Sequence, residues 1–80
     1  RQGIGLTVDG GFAAEVRVPA ACCVALPDAV DAELGALVEP LGVGAEAVLT
    51  GAVGLGDTVL VMGPGTIGQA IALFARRAGA

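Results

Sequence analysis

The hexapeptide GPGTIG, which matches the pattern GxGxxG, is the part of the chain best suited to chemistry. Such a turn presents backbone N–H groups and the positive end of a helix dipole to a diphosphate, because glycines keep side chains out of the way. We expect Gly63 to make the turn, Gly65 to let the phosphates approach and Gly68 to let helix and strand pack closely. The N–H groups around Thr66 and Ile67 would then face the pyrophosphate.

The residues on either side decide how far this pattern can be trusted, since 14 of the 80 residues are glycine. At random, such a composition gives roughly 0.4 matches, so the bare pattern is weak. The apolar run at residues 59–62 predicts a buried parallel strand before the turn. After the turn, apolar residues at three- and four-residue steps predict a helix: Ile67, Ala70, Ile71, Phe74 and Ala78. Arg76 and Arg77 suit the last turn of that helix, and Gly79 suits its end. Strand, glycine turn and helix together favour a dinucleotide-binding unit.

A membrane span is the competing interpretation of the same stretch. Residues 58–75 carry no charged side chain and are close to the roughly 18 residues that can cross a bilayer. Arg76 and Arg77 would then form the cytoplasmic flank. Pro64 and its neighbouring glycines would break such a helix at its middle, and Gln69 would lie deep in hydrocarbon. These residues favour the nucleotide turn over a span.

Composition restricts the partners. The net charge is −4, with four arginines and neither lysine nor histidine, so the chain offers no basic surface for nucleic acid or anionic membranes. Hydrophobic residues make up 55% and aromatic residues 2%, as in tightly packed α/β proteins. Residues 1–20 contain no apolar core of a signal peptide, and a reducing cytosol is consistent with the adjacent Cys22 and Cys23. We interpret these cysteines as small buried hydrophobes in a strand, with a redox or metal role left open.

The first third of the chain predicts short extended segments joined by turns. Asp9 and the glycines after it predict a turn at residues 7–11. Alternating side chains over residues 12–18 predict a half-buried strand that Pro19 ends. Residues 22–26 predict a second short extended stretch.

Helices are predicted after residue 30. Asp31 is a suitable N-cap for a short helix. Glu39 and Pro40 should interrupt it, because proline cannot continue a helix but suits the first turn of a new one. The new helix should cover residues 41–50, followed by a loop at residues 51–56.

The length predicts a piece of a longer polypeptide. The acidic residue that holds the ribose hydroxyls of a dinucleotide lies about 20 residues beyond the glycines, which is past Ala80. NAD and NADP therefore cannot be separated from this sequence. We expect the 80 residues alone to be inactive.

Taken together, four blocks resemble the zinc-containing medium-chain alcohol dehydrogenase family, in particular its sorbitol and polyol branch. The blocks are GGFAAEVRVPA at 10–20, LPDAV at 26–30, VEPL at 38–41 and GDTVLVMGPGTIG at 56–68. The resemblance implies an α/β fold, in which the end of a GroES-like barrel is followed by the first β-α unit of a Rossmann fold. Residues 1–36 would close the catalytic domain, and residues 37–80 would open the nucleotide-binding domain.

The family also implies a function for the parent protein. It would transfer hydride between a secondary alcohol or polyol and NAD or NADP, with zinc as a second cofactor. Glu39 would lie at the catalytic zinc, bound directly or through water. No residue of this chain is assigned as catalytic, and the other zinc ligands would lie before Arg1. The family further suggests a homodimer or homotetramer in the cytoplasm, acting on a small-molecule alcohol.

Some positions depart from the family pattern. Ala14 and Glu15 stand where an acidic residue and an aromatic often follow GGFA, and Glu46 stands where a histidine often follows EPL. Cys22 and Cys23 match none of the family's zinc-ligand positions. A zinc-free reductase of the same superfamily is a second enzymatic hypothesis, and a non-catalytic membrane segment is a third from another class.

Overall fold

The computed structural model describes residues 3–80, where two long helices cross and the segments before them add little regular structure. The helical elements are a 3₁₀ helix at Ala20–Cys22, α1 at Ala32–Gly35, α2 at Val38–Thr50 and α3 at Thr66–Ala78.

The buried residues of the described chain lie on the two long helices, which pack against each other. Val48 of α2 and Ala70 and Ala75 of α3 are the buried apolar side chains within residues 3–80, and Gly44 of α2 is buried against Ala70. A Cβ added to Gly44 would lie 2.9 Å from the carbonyl carbon of Ala70 and 3.0 Å from the nitrogen of Ile71. The two helices therefore approach each other as closely as their backbones allow, because small residues occupy the crossing point.

The first two α-helices meet at a different residue from the one predicted. Asp31 caps α1 as expected, its Oδ1 accepting a hydrogen bond from the N–H of Leu34 at 2.9 Å. The predicted interruption at Glu39–Pro40 is wrong, because α2 already begins at Val38 with Leu37 as its N-cap. Pro40 is the third residue of α2, where the missing N–H would have had no intrahelical partner. The prolyl residue thus sits inside the first turn instead of separating two helices.

Both long helices end in the same hydrogen-bond motif with different residues at its critical position. The N–H of Val53 donates to Val48 at the end of α2, and the N–H of Ala80 donates to Ala75 at the end of α3. This six-to-one bond requires a left-handed residue in between. Gly79 fills that position in α3 with φ 107°, as predicted, whereas α2 places Ala52 there with φ 51°.

The segment before α3 runs along that helix. The N–H of Gly56 donates to the carbonyl of Gly79 at 2.9 Å, and Val61 reaches the side of Gly68. Residues 57–64 form neither helix nor turn, and no strand ladder occurs among residues 3–80 apart from an isolated bridge between Ile4 and Val8. A strand is defined by hydrogen bonds to a neighbouring strand, and residues 3–80 provide no such ladder for this segment. The buried strand predicted at residues 59–62 is therefore not formed here, and Leu60 and Met62 are exposed.

The predictions for the first third of the chain differ more from the structure than those for the helices. The chain turns at residues 5–7, earlier than the predicted turn at 7–11, and the segments 12–18 and 22–26 pair with nothing in the described part of the chain. The prediction that Cys22 and Cys23 are buried in a strand is wrong, since both thiols are exposed and the 3₁₀ helix ends at Cys22. Pro19 favours this 3₁₀ helix, because its φ of −61° suits the residue before a helical turn.

None of the helices found between residues 3 and 80 has the length and apolar character needed to cross a membrane. The uncharged stretch 58–75 is divided among an extended segment, a turn and the first part of α3. It is therefore not one continuous span.

Candidate functional site

The glycine turn joins the extended segment to α3 and lies open to solvent. Gly63, Pro64 and Gly65 are all exposed and lie outside the helix. Gly63 has φ 109°, a conformation that side chains other than glycine rarely adopt. The chain thus reverses direction here without a side chain covering the start of α3.

Gly68 is required by the packing of this turn. A methyl group at Gly68 would collide with the carbonyl oxygen of Gly63 and come within 3.5 Å of Val61. The third glycine of the pattern therefore lets the helix sit directly against the turn.

Gly65 has a different environment. It is the N-cap of α3 with an extended backbone (φ −71°, ψ −176°), and a Cβ added there would meet no atom within 4 Å. Neither its backbone conformation nor its neighbours demand glycine. The space beside Gly65 is free for a group from outside this segment.

The start of α3 presents backbone donors to that space. A glycine N-cap has no side chain to accept hydrogen bonds, and no acidic residue lies in the first turn of α3. The N–H groups of Thr66, Ile67 and Gly68 have no intrahelical acceptor, because the first residues of a helix never do. Together with the helix dipole they form a site whose charge and donors suit an anion.

Gln69 of α3 forms hydrogen bonds to the glycine turn, which the sequence analysis did not predict. Its side-chain Nε2 donates to the carbonyl of Pro64 at 2.8 Å, and its backbone N–H donates to the carbonyl of Gly65 at 2.9 Å. The available signal was a lone amide side chain in the apolar stretch between Thr66 and Arg76.

Two grooves flank the turn. One is lined by Val61, Gly63, Pro64, Gly68, Gln69 and Ala72. The other separates the N-terminal halves of the long helices and is lined by Leu37, Leu41, Thr66, Gln69, Ala70 and Leu73. The starts of α2 and α3 therefore face the same groove.

Glu39 is the second residue of α2 and is exposed. Its carboxylate lies at the positive end of that helix, which stabilises a negative charge. Within residues 3–80, no three side chains of the His, Cys, Asp and Glu types come together as a metal site would need. Glu39 could supply one oxygen to zinc, but this segment does not form a zinc site by itself.

Comparison with known proteins gives several dehydrogenases that match along the chain. L-threonine 3-dehydrogenase of Ruegeria pomeroyi is 42% identical over 79 residues, which are 99% of this chain and 23% of that protein. Human sorbitol dehydrogenase is 47% identical over 72 residues, 90% of this chain and 20% of that enzyme. D-xylulose reductase of Scheffersomyces stipitis is 53% identical over 57 residues, 71% of this chain and 16% of that protein. The chain thus spans about a fifth of the length of these relatives. No family model and no solved structure matches it.

The relatives confirm the resemblance drawn from the four sequence blocks: this chain is homologous to one segment of the zinc-type medium-chain polyol dehydrogenases. The fold of that family is α/β, whereas residues 3–80 here form helices without a paired strand. The barrel and Rossmann assignments remain predictions, as does the boundary between residues 36 and 37.

Proposed function

We propose that this chain is part of an enzyme that transfers hydride between a polyol or secondary alcohol and NAD or NADP. Residues 63–68 would hold the pyrophosphate of that cofactor. The observation that carries this proposal is the start of α3, where the first N–H groups receive no side-chain cap and a Cβ added to Gly65 would meet no atom within 4 Å.

Each residue of the turn has a distinct role in this proposal. Gly63 reverses the chain, and Gly68 seats the helix against it. Gly65 leaves room for phosphate oxygens, which a larger side chain would displace. The N–H groups of Thr66 and Ile67 donate to those oxygens, and the helix dipole adds to their attraction.

The cofactor supplies the hydride acceptor or donor when it is bound. The turn binds its diphosphate and thereby orients the rest of the molecule against α3. The apolar extended segment before the turn and the apolar face of α3 border the site on one side. This chain contributes binding and orientation, and no side chain in it is assigned to move a proton.

Glu39 is proposed as one zinc ligand, direct or through water. Its support is its position: the exposed carboxylate lies in the first turn of α2, and the N-cap of that helix, Leu37, lines the same groove as Thr66 at the start of α3. A metal near Glu39 would therefore lie at the same end of the two helices as the cofactor. The remaining ligands would come from outside residues 3–80.

The other assignments for the whole protein are also proposals. Homology to polyol dehydrogenases supports a small-molecule alcohol as substrate, with a homodimeric or homotetrameric cytoplasmic enzyme as the expected form. Residues 37–80 would belong to the nucleotide-binding domain, which the packing of α2 on α3 supports. Residues 1–36 would belong to the catalytic domain.

Replacement of Gly65 tests the proposal. In the complete protein, Gly65→Val should raise the dissociation constant for NAD or NADP at least about tenfold, because its branched side chain occupies the phosphate space. Isothermal titration calorimetry measures the affinity. Gly11→Val is the matched control, since that glycine is also exposed, lies outside the helices and has open space around it. Unchanged affinity in Gly65→Val would overturn the assignment of the turn.

A further inference from the structure

Gln69 makes two hydrogen bonds to consecutive carbonyl groups of the glycine turn. The side-chain amide donates to Pro64 and the backbone N–H donates to Gly65, at 2.8 and 2.9 Å. The second bond is the ordinary first bond of a helix. The first depends on this side chain, because its donor is the amide nitrogen Nε2 of Gln69.

These bonds fix the orientation of two peptide planes. In a trans peptide the C=O and the following N–H point in opposite directions, and residues 3–80 contain no cis peptide bond. When the carbonyl of Pro64 turns toward Gln69, the N–H of Gly65 turns away from the helix. When the carbonyl of Gly65 turns the same way, the N–H of Thr66 also points away from the helix. Both donors then face the open space in front of the turn.

We propose that Gln69 is a positioning residue for cofactor binding, which orients the N–H of Gly65 toward the pyrophosphate through its hydrogen bond to Pro64. The inference rests on the proposed function of the turn. It extends that function because the N–H of Gly65 becomes a phosphate donor and its orientation depends on a side chain outside the hexapeptide.

The flanking residues make such a restraint necessary. Gly63 and Gly65 on either side of Pro64 have no side chains that restrict their backbones, and both are exposed. Glycine loses more conformational entropy on ordering than any other residue. Without the bond from Gln69, the Pro64–Gly65 peptide is free to rotate, and the cofactor would have to order it on binding.

The test compares substitutions that remove the side-chain donor in the complete protein. Gln69→Met keeps the length of the side chain, and Gln69→Ala keeps helix propensity and guards against misfolding of the first variant. Each should raise the dissociation constant for NAD or NADP about five- to tenfold, as measured by calorimetry. Arg77→Met is the matched control, because it removes another exposed polar side chain from α3 far from the turn. It should bind the cofactor like the wild type.

Three further readouts separate positioning from general damage. Adenosine, which has no pyrophosphate, should bind the Gln69 variants and the wild type equally. The KM for the cofactor should rise while kcat stays within about twofold, and the melting temperature should change little. Equal loss of adenosine and cofactor affinity would overturn the inference, as would cofactor affinity within twofold of wild type in both variants. Failure of the wild type itself to bind either dinucleotide would instead overturn the proposed function.

Discussion

The two long helices have the same length and pack against each other, yet their N-termini are built differently. The first turn of α2 contains its own anion, Glu39, whereas the first turn of α3 contains no acidic residue and begins at a glycine. Both helix ends attract negative charge. In α2 the protein supplies that charge, and its carboxylate can face a cation. In α3 no acidic side chain supplies it, which is consistent with the phosphate site proposed there.

At the C-termini, α3 has the charged residues and the favourable backbone conformation, and α2 lacks both. α3 ends with Arg76 and Arg77 in its last turn and a left-handed glycine, so both charge and conformation favour its end. α2 has no basic residue in its last turn and places Ala52 in the left-handed conformation. The start of α3 has neither a side-chain cap nor an acidic residue, whereas its end is stabilised by both charge and conformation. The end of α2 has neither of these two features.

Among the substitutions that test the difference between the two helices, Gly68→Ala should have the largest effect on stability. The added methyl group would strike the backbone oxygen of Gly63, which cannot move away as a flexible side chain could. We expect the free energy of unfolding to fall by about 3 kcal/mol, at the upper end for overpacking, measured by urea denaturation of the complete protein. Cofactor affinity should fall as well.

Gly42→Ala is the control for that experiment. Gly42 is also a helical glycine, but a Cβ there meets no atom within 4 Å. Alanine should therefore stabilise α2 by about 0.5–1 kcal/mol. A Gly68→Ala protein as stable as Gly42→Ala would contradict the close seating of α3 on the turn.

Glu39→Ala tests the other helix start. If the carboxylate of Glu39 binds zinc, its loss should lower zinc affinity about tenfold, which corresponds to about 1.4 kcal/mol. Competition with a chelator, followed by metal analysis of the complete protein, measures the change. Glu46→Ala removes a carboxylate from the middle of α2 and should leave zinc affinity unchanged.

The same measurement separates the two enzymatic hypotheses. A zinc-free reductase would contain no stoichiometric zinc in the wild type and would not respond to Glu39→Ala. If wild type and Glu39→Ala bind zinc equally, Glu39 is not part of the metal site. That result would not affect the role proposed for the glycine turn.

The smallest effects are expected at the two helix ends. Ala52→Gly should stabilise the protein by about 1 kcal/mol, because glycine adopts positive φ without the steric cost that alanine carries. Gly79→Ala should destabilise it by at least that amount, since its Cβ would also lie 2.9 Å from the Cα of Leu55. Thermal unfolding of the two single variants measures both. Changes of the same sign would contradict the matched motif at the two ends.

Much of the local structure follows from the sequence, because the signals act within one helical turn. Asp31 caps α1 through a bond to a residue three positions away, and Gly79 ends α3 where its conformational freedom is needed. The helix after the glycine turn was predicted from its apolar spacing and is present as α3. The start of α2 was misplaced, since proline is compatible with both a break and a first turn.

Features that depend on distant residues could not be predicted in the same way. The exposure of Cys22 and Cys23 depends on what packs over them, and strand pairing depends on a neighbour that supplies hydrogen bonds. The site is similar: the hexapeptide was recognisable, but its restraint by Gln69 was not. A glutamine in a helix has many rotamers, and only the folded turn shows which carbonyl it reaches.

The order of backbone conformations around residues 57–80 was determined by the sequence alone, because glycine, proline and apolar spacing restrict φ and ψ locally. Comparison of the same sequence with known proteins showed homology to one segment of the zinc-type medium-chain polyol dehydrogenases. Only the tertiary structure decided how closely α2 and α3 approach at Gly44, and that both helix starts face one groove. Such distances are set by the atoms that meet across the crossing, which no local preference encodes.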